Sequence, residues 1–136
     1  MKLVFAIDDR GGMLFNKRRV GRDKLMIKDL EEYVADAPIF IEPYSEELFS
    51  DVSLNIILSE KPLEFAEEGD FVFVERQKPS RFAERADEIV IYKWNRRYPF
   101  DFAMDFSPEA LGFKLESSKD FKGYAHEKIT REVYRR

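Results

Sequence analysis

Residues Leu3–Asp8, Leu-Val-Phe-Ala-Ile-Asp, constrain this chain more than any other stretch. Five apolar residues follow one another without alternation and end in a carboxylate and a turn. A strand with one wet face alternates polar and apolar residues, whereas a short run that does not alternate is covered on both faces. Such strands lie in the middle of a sheet. Ile39-Phe40-Ile41 repeats the pattern, and Leu54–Leu58, Phe71–Val74 and Glu88–Trp94 read as further short strands. Between them the spacing predicts short helical stretches. One runs from an Asp23 N-cap to about Val34, with Met26, Leu30 and Val34 on one face. Others fall at Ser45–Phe49, at Phe65–Gly69 with a glycine stop, and over Pro79–Ala86. Met13-Leu14-Phe15 is an apolar patch inside an apparent loop. Phe113–Glu116 and Ile129–Tyr134 alternate, as an antiparallel pair with one wet face does. This order predicts a single α/β domain over residues 1–136, with a mostly parallel sheet and a C-terminal antiparallel pair.

Composition narrows the function classes. The chain has 136 residues, enough for one sizeable core, and its 13 phenylalanines should dominate that core. It has no cysteine, which excludes disulfides and thiolate metal sites and fits a reducing, cytoplasmic location. The first apolar run is broken by Asp8, Asp9 and Arg10, too early for a leader or a membrane span, so no membrane partner is expected. The net charge of −4 hides segregation. Residues 16–24 carry five basic side chains and one acidic one, while residues 42–75 carry ten acidic side chains against Lys61 alone. Two solvated surfaces of opposite sign account for this, as does a basic face for an anionic partner.

The most chemically loaded run is Tyr92-Lys93-Trp94-Asn95-Arg96-Arg97-Tyr98. Interleaved aromatic and basic residues suit stacking on bases beside phosphate contacts. A strand end with Trp94 half-buried under Lys and Arg stems fits the same residues. If this strand end and the 16–24 loop share a rim, Arg18, Arg19, Arg22, Lys93, Trp94, Arg96 and Arg97 form one surface. Its partner would be a nucleotide, an RNA segment or an acidic protein surface. His126, the only histidine, reads as a surface or capping residue. Asp8 and Asp9 point apart on a strand end and no third carboxylate is near in sequence, so no metal site is expected. Nucleotide-binding glycine loops and the Gly-x-Ser-x-Gly elbow are absent.

The order of elements resembles dihydrofolate reductase in shortened form. Met1–Asp8 is similar to that family's first strand. Gly12-Met13 with Asn16-Lys17 resembles its active-site loop, and Ser53–Ser59 its Asn-hydrophobic-hydrophobic-Leu-Ser strand. Ala86–Ile91 resembles its Ala-Asp-x-Leu-x-Leu strand, Tyr98-Pro99 its Phe-Pro, and Glu127–Arg136 its closing strand. The resemblance implies a three-layer α/β sandwich. It also implies a pterin-orienting carboxylate, for which Asp23 is the candidate after a one-residue shift.

Elsewhere the residues depart from the family. Its Leu-Pro-Trp reads Arg18-Arg19-Val20 here, and its buried Thr falls on Tyr92. Its phosphate-binding Gly-Arg-x-Thr reads Glu42-Pro43-Tyr44-Ser45, and its Gly-Gly pair reads Glu75-Arg76. A Glu repels phosphate, and a Pro removes a backbone donor. The expectation is a non-catalytic binding protein without a cofactor, its old crevice retained or partly filled by Met13, Phe15 and Tyr44. An NADPH-linked reductase with Asp23 as acid is the alternative. Lys93–Pro99 and His126–Tyr134 also resemble a small clostridial family filed under the name ribonuclease Z, which makes an RNA-processing factor a further alternative. The zinc enzyme of that name uses a His-x-His-x-Asp-His cluster, which one histidine cannot build.

Overall fold

The computed structural model describes every residue from Met1 to Arg136. In chain order the strands and helices are β1 (Lys2–Ile7), β2 (Gly12–Phe15), β3 (Arg18–Arg19), α1 (Lys24–Val34), β4 (Pro38–Ile41), β5 (Asn55–Leu58), α2 (Pro62–Phe65), β6 (Phe71–Phe73), β7 (Glu88–Lys93), β8 (Phe102–Ala103), β9 (Lys114–Phe121) and β10 (Ile129–Arg135). Short 3₁₀ helices cover Pro43–Phe49, Pro79–Arg85 and Glu109–Leu111. The main sheet has seven strands in the order β5-β4-β6-β1-β7-β10-β9. Strands β5, β4, β6, β1 and β7 run parallel, and β10 and β9 join antiparallel.

β1 lies inside this sheet, between β6 and β7, as its unbroken apolar run requires. Successive side chains of a strand point to opposite faces. Leu3, Phe5 and Ile7 pack with Ile89, Ile91, Phe82 and Phe113 on one face. Val4 packs on the other with Leu30, Val90, Tyr92, Trp94 and Ile129. α1 covers that second face through Met26, Ile27, Leu30 and Val34. The architecture is the expected mixed α/β fold.

Four local expectations change. Met13-Leu14-Phe15 is not loop but part of β2, in a second, antiparallel sheet ordered β3-β2-β8. Asn16 and Lys17 join β2 to β3 with both residues left-handed (φ 52° and 65°), as a two-residue hairpin turn demands. A four-residue strand is too short to declare its period. The helix expected at Phe65–Gly69 lies earlier: Pro62 starts it and Phe65 ends it, while Gly69 takes φ 89° in the turn before β6. β9 runs to Phe121, well past Glu116, but nearly all its side chains are exposed, so no apolar pattern marks it. The stretches at Ser45–Phe49 and Pro79–Ala86 are 3₁₀ helices, each starting at a proline. No helix is long and apolar enough to cross a membrane.

Candidate functional site

The C-terminal edge of β1 and β7 meets the start of α1 at Asp23. Its backbone is extended (φ −157°), as an N-cap should be, and Oδ1 accepts the Leu25 N–H at 3.0 Å. The same oxygen accepts the Tyr124 N–H at 2.8 Å. Oδ2 accepts the N–H groups of Ala125 at 2.8 Å and His126 at 3.2 Å, and lies 2.9 Å from His126 Nδ1. The side chain is fully buried. Burial pushes the carboxyl up, but the bonds from Tyr124, His126, Ala125 and Leu25 outweigh it and hold Asp23 below the usual carboxylate range. Asp23 therefore ties the β9–β10 connection to the first turn of α1. Gly123 makes room for this: a Cβ there would stand 2.6 Å from Asp23 Oδ2.

His126 is buried, not on the surface, because of this tie. A carboxylate only accepts, so Nδ1 carries a proton toward Asp23, and Nε2 lies 2.7 Å from the Tyr98 hydroxyl. The imidazole stacks on Trp94, ring centres 4.6 Å apart and planes 19° apart. Trp94 is 3% exposed, well beyond the half-burial a strand end suggests.

Beside this cluster a cavity of about 630 Å³ opens between α1 and residues 47–52. Leu25, Ile27, Leu48 and Val52 supply apolar wall, and Tyr124 and Lys24 stand at it, with Lys24 Nζ 3.8 Å from the Tyr124 ring centre. The other cations there are engaged: Lys28 pairs with Glu31 at 3.0 Å and Arg22 lies 3.8 Å from Glu47. Lys24 has no carboxylate partner. Behind this cavity lies a small chamber of about 10 Å³, walled by Ala6, Gly21, Met26, Phe73, Glu75 and Trp94 among others.

Glu42, Ser45, Glu75 and Arg76, which stand where the resemblance puts phosphate-binding motifs, bond to one another and to Arg19. Arg19 Nε donates to Glu75 Oε2 at 2.9 Å and its NH2 to Oε1 at 3.0 Å, with both side chains about nine-tenths buried. The Ser45 hydroxyl donates to Glu75 Oε1 at 2.6 Å. The Arg76 N–H donates to Glu42 Oε2 at 3.0 Å. Arg19 and Arg76 both lie over the Tyr44 ring, at 4.4 and 4.6 Å.

Of the residues singled out in sequence, Arg18, Arg96 and Arg97 are exposed. Arg96 donates to the Tyr98 hydroxyl at 3.3 Å. Lys93 pairs with Glu132 at 3.2 Å. Phe15, Arg18, Arg19 and Tyr98 line one open surface cavity. Met13 is buried in the core face opposite α1. Tyr92 is fully buried and donates to Asp29 Oδ2 at 2.7 Å; Lys119 and Arg131 complete that carboxylate's partners, each at 2.8 Å. None of Met13, Phe15, Tyr44 and Tyr92 lines the crevice at α1. Sequence reasoning missed Gly21, Lys24, Leu48 and Tyr124. Only the charge run at 16–24 hinted at Lys24; the others lack any local signal.

No protein-family profile and no curated protein matches this chain. Among solved structures it is similar to dihydrofolate reductase from Enterococcus faecalis, solved in complex with NADP(H) and RAB-propyl. The TM-score is 0.70 at 10% sequence identity, over 99% of this chain and 95% of that one. The chain thus has a dihydrofolate-reductase-like fold. Nothing in these comparisons supports the ribonuclease Z name.

Proposed function

We propose that the chain is a non-catalytic binding protein that takes a small organic anion in the crevice between α1 and residues 47–52. The observation that carries this reading is Lys24, a cation with no carboxylate partner, at a cavity of mixed polar and apolar lining large enough for a drug-sized molecule. Its Nζ can meet a carboxylate while Leu25, Ile27, Leu48 and Val52 take an apolar body. Two further observations support binding without dinucleotide chemistry. The Arg76 N–H is spent on Glu42, and Glu75 holds Arg19 and Ser45. A small ligand is favoured over RNA because Trp94 is buried and unable to stack on a base, and Arg19 is engaged internally.

Thermal shift with benzoate as the probe, beside NADPH, dihydrofolate and a short RNA, tests this. A ligand at about 100 times its Kd adds about 2.7 kcal/mol, a shift of several degrees. Benzoate should raise Tm, and Lys24→Gln should abolish the response. A shift with NADPH and turnover of dihydrofolate would replace this reading with the reductase. A salt-dependent shift with RNA alone would move the site to the exposed Arg18, Arg96 and Arg97.

A further inference from the structure

Trp94 Nε1 is fully buried and has no hydrogen-bond partner. An unmet buried donor costs about 1–3 kcal/mol, so such groups are few and call for an explanation. The one other fully buried side-chain atom in this condition, Arg131 Nε, belongs to a guanidinium already held by Asp29. Trp94 has no such compensation. Its indole N–H faces Gly21: a Cβ built on Gly21 would stand 3.0 Å from Nε1. Gly21 and Trp94 both wall the small chamber, whose space of about 10 Å³ accommodates one non-hydrogen atom.

That chamber adjoins the outer cavity, since Arg22, Asp23, Ile27 and Leu48 wall both. Asp23 and Ile27 are buried, whereas Arg22 is exposed and Leu48 partly so, which makes these two the side of the chamber nearest solvent. Resting on the reading of the crevice as an anion site, we propose that the occupant carries a hydrogen-bond acceptor at its leading end, which Trp94 Nε1–H binds. The ligand class is then a flat organic acid with a carbonyl or similar oxygen at one end, an apolar middle, and a carboxylate at the other end for Lys24. Gly21 is the residue that keeps the acceptor's seat open.

Trp94 is the chain's only tryptophan, so a ¹⁵N–¹H spectrum contains one indole resonance. The probes are 4-acetylbenzoate and 4-isopropenylbenzoate, which have the same shape but differ in the ketone oxygen. Calorimetry on the full chain should give about tenfold tighter binding of the ketone, the worth of one buried hydrogen bond. The indole proton should move downfield with the ketone alone. Gly21→Ala should remove the preference, and Trp94→Phe should equalise the two probes through loss of the N–H. If both probes bind equally to the native chain, this inference is overturned while the anion site stands. If neither binds, both fall. An indole resonance that does not move when 4-acetylbenzoate binds shows that the ketone does not reach the N–H and also overturns the proposal.

Discussion

Replacing Asp23 tests whether this carboxylate is the keystone of the α1 end or a free acid. In Asp23→Ala the helix loses its cap, at about 1 kcal/mol. The N–H groups of Tyr124 and Ala125 belong to exposed residues and recover some water, but the His126 N–H and Nδ1–H are buried and do not. At about 1–3 kcal/mol for each of these two buried orphans, the total with the cap is about 3–7 kcal/mol. A domain of this size has about 5–15 kcal/mol in all, so the variant should lose much of its stability. Asp23→Asn should lose less. Its oxygen can still accept from Leu25 and Tyr124, but its amide faces Ala125 and His126 N–H groups and can gain a partner only if His126 changes tautomer. Urea unfolding followed by Trp94 fluorescence reads both, because Trp94 stacks on His126. A loss below about 1 kcal/mol for Asp23→Ala at unchanged m-value would refute the keystone argument.

Two other outcomes follow from the same physics. Asp8, Asp23 and Asp29 are all held below the usual carboxylate range despite burial: Asp8 by N–H bonds from Tyr98, Gly12 and Arg10, Asp23 as above, and Asp29 by Lys119, Tyr92 and Arg131. The unfolded chain then binds protons more readily, so stability should be full above about pH 5 and fall progressively below about pH 4; urea midpoints at pH 7, 5 and 3 check this. Ala35, which ends α1 at φ 54° and ψ −120°, sits where glycine is comfortable and a Cβ is not, so Ala35→Gly should add about 1 kcal/mol and raise Tm by a few degrees in calorimetry.

What the sequence disclosed follows from how local each signal is. The five-residue apolar run of β1 carries its own evidence of double burial, and so does the Asp23 cap of α1, because both depend on neighbours in the chain. The second sheet escaped because β3 and β8 have two residues each, too few for any period. Asp23 and His126 are 103 residues apart, and nothing in either segment announces the other. Trp94 reads as half-buried or base-stacking beside Lys93, Asn95, Arg96 and Arg97, yet it is fully buried, because the β9–β10 connection folds over it. The basic run at 16–24 was visible as charge. Which of its members are free was not: that Arg19 is taken by Glu75 depends on a partner 56 positions away.

A dinucleotide site and the α1 crevice place different demands on this fold. A pyrophosphate site of the dinucleotide type needs close-approach glycines and backbone donors at a helix N-terminus. After β6 this chain has Glu75 and Arg76, and the element that follows is a seven-residue 3₁₀ helix from Pro79. A ligand phosphate there would meet the Glu42 carboxylate already bonded to the Arg76 N–H, and would have to part Arg19 from Glu75. Breaking such a buried pair costs about 3–5 kcal/mol before any contact to the newcomer is made. The central strands do not depend on those residues, since β1, β6 and β7 are held by their ladders and by apolar burial on both faces. The crevice touches them at two points, since Glu47 at its wall accepts from Arg19 and Glu75 walls its inner chamber. Its walls come from α1, from residues 47–52 and from the Tyr124–Ala125 connection, and α1 is the one helix of full length in the chain. Asp23 joins two of those walls through five hydrogen bonds, so the site's shape is fixed by the interaction that also makes the helix begin where it does.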